Sequence, residues 1–286
     1  MPAKSTRRRR FRELVGLWTD LFREHELLTF ATAIAFRALV AAVALLLLGF
    51  GLLGAFGRED VWESQIGPAV QAKVTVGVFA GINGTVERIF AHDSAGLIVF
   101  AAALAIWEVS SLVRACMNAL TRVYGMDDER PWWIRFPISF GIAVVLTAAI
   151  VGAVLLMTAA KGAFGGAWHI PWFVARWLGA VVAIGLGFGF LVRWAPAERR
   201  AERWVSAGTT LVVVGWIVES LIFSWYVSSL ANFKTAIGTL TAVYVLTTYL
   251  YIAGIILLVA MQLDELLRRD VQGEERGIIE LVRGLF

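Results

Sequence analysis

Six apolar stretches, each long enough to cross a lipid bilayer, occupy most of this 286-residue chain, at about 29–55, 94–113, 136–160, 177–195, 205–230 and 239–262. A spanning helix needs roughly 20 mostly apolar residues to cover a hydrocarbon core of roughly 30 Å. All six qualify, and 59% hydrophobic residues with a mean hydropathy of +0.73 exclude a soluble globular fold. The reading is an all-α integral membrane protein with six transmembrane helices and short amphipathic surface helices. Residues 1–28 form a basic N-terminus and interfacial helix, 29–262 the membrane domain and 263–286 a cytoplasmic tail.

Charge orients the segments, because cytoplasmic loops carry an excess of Lys and Arg. Nineteen of the 26 cations fall on one side, in four groups: before the first span, between the second and third (Arg114, Arg122, Arg130, Arg135), between the fourth and fifth, and in the tail. Six lie on the other side, and Arg37 is left inside a span. Both termini are therefore expected in the cytoplasm. The net charge of +4 serves orientation and contact with anionic headgroups. Nucleic acid is not an expected partner, since these arginines are spread over four segments. Trp132, Trp133, Trp168, Trp172, Trp177, Trp194 and Trp204 fall near span ends, where amphipathic rings sit best.

The basic N-terminal cluster is separated from the first apolar run by Glu13, Asp20, Glu24 and Glu26, unlike a cleavable signal. Phe11, Leu14, Val15, Trp18, Leu21 and Phe22 recur at helical spacing and predict a helix on the inner surface. The tail from Leu263 predicts a second surface helix, interrupted near Gly273. In the long outer segment 56–93, Val74, Val78 and Ile82 step by four and Ile89 and Phe90 follow Asn83-Gly84, predicting two short helices joined by a turn there.

Soluble-enzyme chemistry is missing. Cys116 is the one cysteine, so no intramolecular disulfide or cysteine-based metal site exists. His25, His92 and His169 fall on different sides of the membrane and cannot converge on a metal. No metal and no cofactor are expected. Asn83-Gly84-Thr85 fits a glycosylation tripeptide that is common by chance. Gly185-x-Gly187-x-Gly189 lies within an apolar helix rather than after a strand, so it reads as a close-packing stripe and not a phosphate loop.

Ionisable groups inside the spans stand out, because each costs about 2.5–3.5 kcal/mol at a helix centre on insertion scales. Arg37 is about 8 residues into the first span, roughly 12 Å deep. Glu108 is about 8–9 Å from the cytoplasmic surface at the end of the second. The two share one half of the bilayer, so a pair is geometrically allowed, either as an anion-attracting cavity or as a structural ion pair. Glu219 is near the middle of the fifth span and reads either as a proton relay or as a neutral hydrogen-bonding group. Thr241, Tyr244, Thr248 and Tyr251 step by three, four and three along one face of the last span, with Gln262 beyond them. That face either lines an amphiphilic cavity or bonds a neighbouring helix.

Several motifs resemble the BrkB/YihY family of bacterial inner-membrane proteins, over about residues 25–270. The run Ala31-Thr32-Ala33-Ile34-Ala35-Phe36-Arg37-Ala38-Leu39 is similar to the family's opening Ala-rich stretch. Ala119-Leu120-Thr121-Arg122-Val123-Tyr124-Gly125 resembles its A-L-N-R-x-Y-G. Leu191-Val192-Arg193-Trp194-Ala195-Pro196 resembles its L-Y-R-F-A-P. Phe233, Ile237-Gly238-Thr239-Leu240, Tyr249-Leu250-Tyr251 and Ala260-Met261-Gln262-Leu263-Asp264 follow its C-terminal pattern. Arg37 replaces an aromatic, Val40-Ala41 lack a proline, Gln262 stands where glutamate is usual and Thr241 where glycine is.

The resemblance implies six helices with cytoplasmic termini in the bacterial inner membrane, and a role in envelope integrity. In one branch it implies movement of lipid precursors. Older relatives carry a ribonuclease BN label that these residues do not support, and no enzymatic activity is expected. The leading expectation is a transporter or flippase for an anionic lipid or amphiphile. The alternatives are an ion-coupled solute transporter using Glu219 or Glu108, and a non-transporting envelope scaffold. Membrane lipids are the expected partners, with a homo-oligomer left open.

Overall fold

The computed structural model describes residues 26–91, 95–125, 130–159, 207–229 and 238–272, with helical positions at 175, 178–179, 182, 185 and 189–190. Every element among them is helical. In chain order these are α1 (Leu27–Ala55), α2 (Glu59–Val61) running through a π-helical turn (Trp62–Ile66) into α3 (Gly67–Gln71), α4 (Val76–Ala91), α5 (Ala95–Val123), α6 (Trp132–Ala159), α7 (Ala207–Ser229) and α8 (Gly238–Gln272). Five of these, α1, α5, α6, α7 and α8, are long and apolar enough to span a bilayer. The expected fourth span, 177–195, lies mostly outside the described residues, as do the N-terminal surface helix, the three histidines and the chain beyond 272.

Helix α1 shows why these residues associate in lipid. Its buried line includes Ala31, Ala35, Ala41, Ala44 and Gly51, while Leu28, Phe36, Val43 and Leu46 face outward. Small residues bring backbones close where hydrocarbon supplies no hydrophobic drive between helices. Ala44 and Leu48 of α1 pack on Ala101 and Ala105 of α5, and a Cβ on Gly51 would meet Ile98 at 3.4 Å. On α8, Gly254 lies against Ala31, with the Ala31 carbonyl 3.2 Å from where a Cβ would be. Close approach is therefore built at these glycines. At Gly185 and Gly189 a Cβ would meet nothing within 4 Å, so the expected close-packing stripe is not seen there among the described residues.

Two spans run well past their expected inner ends. Helix α5 continues ten residues beyond 113, burying Cys116, Met117, Ala119, Leu120 and Val123. It ends on Gly125, whose φ of +62° suits a residue without Cβ. The Tyr124 hydroxyl then donates to the Met261 sulfur at 3.5 Å. Helix α8 likewise continues from 262 to Gln272 in place of a separate tail helix starting at Leu263. Its 35 residues reach about 52 Å at 1.5 Å per residue, and Met261, Gln262, Glu265 and Leu266 are buried along it. These extensions are amphipathic: one side packs into the main core and the other is polar.

Helix α7 lies along α8 through a line of small residues. A Cβ on Gly208 would stand 2.6 Å from the Asp264 Cβ and 2.8 Å from the Ala260 carbonyl, and one on Gly215 would stand 2.6 Å from Ile256. Asp264 accepts the Gly208 N–H at 3.0 Å, so a residue of α8 caps the N-terminus of α7.

The outer segment forms two helical stretches, but they divide at 72–75 and not at Asn83-Gly84, which lie within α4. Asn83 is held there by both ends of its amide. Its oxygen accepts Trp62 Nε1–H at 2.9 Å and its nitrogen donates to Glu87 at 2.6 Å, an i,i+4 bond that only a helix allows. Lys73, in the break, donates to the Val227 carbonyl at 3.1 Å and so ties the segment to the outer end of α7.

Candidate functional site

Three helices open a cavity of about 490 Å³ at the end of the bundle where α1 begins, α5 ends and α6 begins. Each contributes a helical face. Phe30, Ala33 and Arg37 step by three and four on α1; Ser111, Ala115 and Asn118, with Arg114 beside them, do so on α5; Trp132, Arg135 and Phe136 come from the first turns of α6. The charge count assigns this end to the cytoplasm. The described lining residues include three guanidiniums and no Asp, Glu or His.

Arg114 is positioned from one side. Its Nη1 donates to Ser110 Oγ at 2.7 Å and to Ser139 Oγ at 3.3 Å. Ser139 donates its own proton to the Phe136 carbonyl at 2.9 Å, which leaves its oxygen to accept from Ser110 at 3.1 Å. Both buried hydroxyls are thereby satisfied in a direction that aims lone pairs at the arginine. The guanidinium carbon stands 5.4 Å from the Phe136 ring centre, a cation–π contact. Nη2 and Nε make no hydrogen bond with a described residue. Arg135 donates to the Asn118 side-chain amide oxygen, Oδ1, across the mouth. Arg37 makes no hydrogen bond or salt bridge with a described residue, and its charge repels that of Arg114 while Glu108 attracts it.

Of the residues singled out in the sequence, Arg37 lies in this cavity. The Arg37–Glu108 pair is not formed. Gly51 opposite Ile98 sets the register of two antiparallel helices, and counting inward from there puts Arg37 level with Leu112, one turn short of Glu108. Glu108 is half-buried above the cavity, outside its lining. The stripe on α8 does not reach it. Thr247 and Thr248 bond back to the carbonyls of Val243 and Tyr244 at 2.8 and 2.9 Å, and Tyr244 is 73% exposed on the outer half of the helix. Thr241 and Tyr251 lie on the same helix outside the cavity, and Gln262 is buried in the core. Arg122 is exposed on the last turn of α5, Tyr124 and Gly125 terminate that helix, and Gly238 starts α8. Arg193 and Pro196 lie outside the described residues.

Arg114 and Arg135 were read from the sequence only as orienting charges. The signal for Arg114 was present: Val109, Val113, Met117, Leu120 and Val123 continue a buried helical line past it. Glu219, on α7, is 8% exposed and neither of its carboxylate oxygens has a hydrogen-bond partner among the described residues.

The chain matches the family described as Virulence factor BrkB over residues 19–280. A protein of Bacillus subtilis (strain 168) that bears the name ribonuclease-like protein YfkH is 26% identical over 187 residues, covering 62% of this chain and 68% of the relative. UPF0761 membrane proteins of Neisseria meningitidis serogroup B and Stenotrophomonas maltophilia are 24% and 25% identical over 242 and 262 residues, covering 78% and 87% of this chain. The chain spans 55% and 59% of the length of those two relatives. No solved structure matches.

Proposed function

The chain belongs to the Virulence factor BrkB family of membrane proteins, and from that premise we propose that it is a transporter or flippase for an anionic lipid or amphiphile in the bacterial inner membrane, serving envelope integrity. The observation that carries this reading is the cavity that gathers Arg37, Arg114 and Arg135, with no acidic residue among the described residues of its lining. Cations in the inner half of a bilayer need a counter-charge or water. Planar guanidiniums match carboxylate and phosphate oxygens bidentately, and Phe30, Trp132 and Phe136 beside them suit an apolar body. The volume falls in the roughly 300–1,000 Å³ range of small-molecule sites.

An enzyme is the poorer reading. Hydrolysis of a phosphodiester calls for a metal site or an acid–base pair, whereas this cavity offers cations and aromatic rings. The name of the Bacillus relative is therefore not carried to this chain, and lipid rather than nucleic acid is the partner we assign.

The test is a flipping assay on purified protein in liposomes, comparing fluorescent phosphatidylglycerol with phosphatidylcholine. The anionic probe should move faster than in empty vesicles, and Arg37→Ala or Arg114→Ala should slow it about tenfold or more, the scale of one lost charge-assisted bond. Equal movement of both probes, or folded variants as active as the parent, would refute the assignment.

A further inference from the structure

Helix α7 presents Gly208, Val212, Gly215 and Glu219 at steps of four, three and four, one face that packs on α8. Gly208 and Gly215 fit closely against it, and Val212 between them is fully buried. Glu219, eleven residues from Gly208, stands about 16 Å along the helix, near the middle of a bilayer core of roughly 30 Å. Its neighbours on α7 are tied to α8. Trp216 Nε1 donates to the Ala253 carbonyl at 3.1 Å, and the Ser220 and Tyr249 hydroxyls share a hydrogen bond of 2.9 Å. Between these two ties Glu219 is 8% exposed, with both oxygens unbonded among the described residues.

A carboxyl at this depth has three ways to be tolerated: a cation, a set of donors, or loss of its charge. No described cation is beside it. Lys73 reaches α7 at Val227, two turns further out, and Arg37 is on α1 in the cavity. The ionisable groups of α8 near that level are Tyr249, engaged by Ser220, and Tyr251, while Asp264 and Glu265 lie at the inner end. Glu219 is the one Asp, Glu, Lys, Arg or His in α7. The described residues supply neither a cation nor donors, and neither carboxyl oxygen has a hydrogen-bond partner among them, an omission worth roughly 1–3 kcal/mol. A residue kept for helix contact would be bonded as Trp216 and Ser220 are.

We propose that Glu219 is a proton-binding site in the membrane, which releases its proton to water when the α7–α8 seam opens and regains it when the seam closes, and that this proton movement drives the lipid movement proposed above. The second half of the proposal rests on the transporter reading. Release breaks the carboxyl O–H bond and leaves a carboxylate; no oxidant or reductant takes part. Helix α8 is the shared element, because it meets α7 at Gly208 and Gly215 and meets α1, which carries Arg37, at Gly254.

The experiment uses the full chain in liposomes. Dicyclohexylcarbodiimide, an apolar reagent for protonated carboxyls, is applied across pH and the adduct located by mass spectrometry. In parallel, phosphatidylglycerol movement is followed with and without a pH gradient, for the parent and for Glu219→Gln. The expected result is an adduct at Glu219 that falls about tenfold per pH unit once the carboxyl ionises, and a gradient response that Glu219→Gln abolishes while passive equilibration persists. No adduct at Glu219 in the folded protein, or one independent of pH, overturns the proton site. A pH-dependent adduct with an unaltered gradient response in Glu219→Gln overturns the coupling. A pH-dependent adduct in a parent protein that moves no lipid overturns the transporter reading and leaves the proton site standing.

Discussion

Replacing Gly208 by alanine places a methyl group in the tightest contact of the α7–α8 seam. The new Cβ would stand 2.6 Å from the Asp264 Cβ and 2.8 Å from the Ala260 carbonyl. Neither neighbour is the flexible end of a side chain, so a helix must move. Overpacking of this kind costs about 1–3 kcal/mol. The movement also pulls Asp264 away from the Gly208 N–H, a 3.0 Å cap whose loss adds about 0.5–2 kcal/mol. The sum is on the order of 1.5–5 kcal/mol. Cys116 provides the assay, being the chain's one cysteine and buried in the core of α5. A thiol-reactive fluorogenic maleimide reports its exposure as the detergent-solubilised protein is heated. Gly208→Ala should melt lowest. Gly215→Ala, which meets the Ile256 side chain at 2.6 Å, should be intermediate. Gly49→Ala, with nothing within 4 Å, should melt with the parent or above it. If Gly208→Ala and Gly49→Ala melted together, the seam as described would be wrong.

Three further outcomes are expected. Arg114→Lys keeps the charge but cannot reach Ser110 and Ser139 from one nitrogen while stacking on Phe136, so binding of fluorescent phosphatidylglycerol in a titration should weaken about tenfold. Gly125→Ala forces a Cβ into φ +62° and should lower the maleimide melting midpoint by the equivalent of about 1 kcal/mol, with no change in probe selectivity. Trp62→Phe removes the donor that holds Asn83 and should speed hydrogen exchange across Val76–Ala91 by about fivefold, for a lost bond of about 1 kcal/mol, leaving the spanning helices unchanged.

The spans were legible because lipid tolerates little but long apolar helices; α1, α6 and α7 begin and end within a few residues of the expected limits. The inner halves of α5 and α8 were not. From Val113 to Val123 and from Leu263 to Gln272 the chain is amphipathic, so an apolar run stops while the helix does not. That shortfall hid Arg114, which lies one residue past the expected end of the second span. Position along a helix follows from the sequence because rise per residue is fixed. Register between helices does not, because it is set by contacts such as Gly51 on Ile98, and so the Arg37–Glu108 pair failed by one turn. Asn83-Gly84 misled for a related reason: the dipeptide favours turns, but Trp62 and Glu87 hold the asparagine within a helix.

The segments that most resemble the family and the segments that build the cavity are largely different, and this bears on how function is tested. Tyr124 docks on Met261, Gly125 ends α5, and Asp264 caps α7. These positions fasten the inner ends of three helices together. The cavity is lined instead from the opening run of α1, from the middle turns of α5 and from the first turns of α6, and only Ala33 and Arg37 belong to both sets. A substitution at a motif position outside the cavity is therefore a test of stability. A substitution of Arg37, Arg114 or Arg135 is a test of binding, provided it is separated from orientation, since Arg114 and Arg135 also count among the inward-facing charges. Arg114→Lys preserves the charge count and removes the geometry, so a loss of anion binding in that variant would belong to the cavity and not to topology.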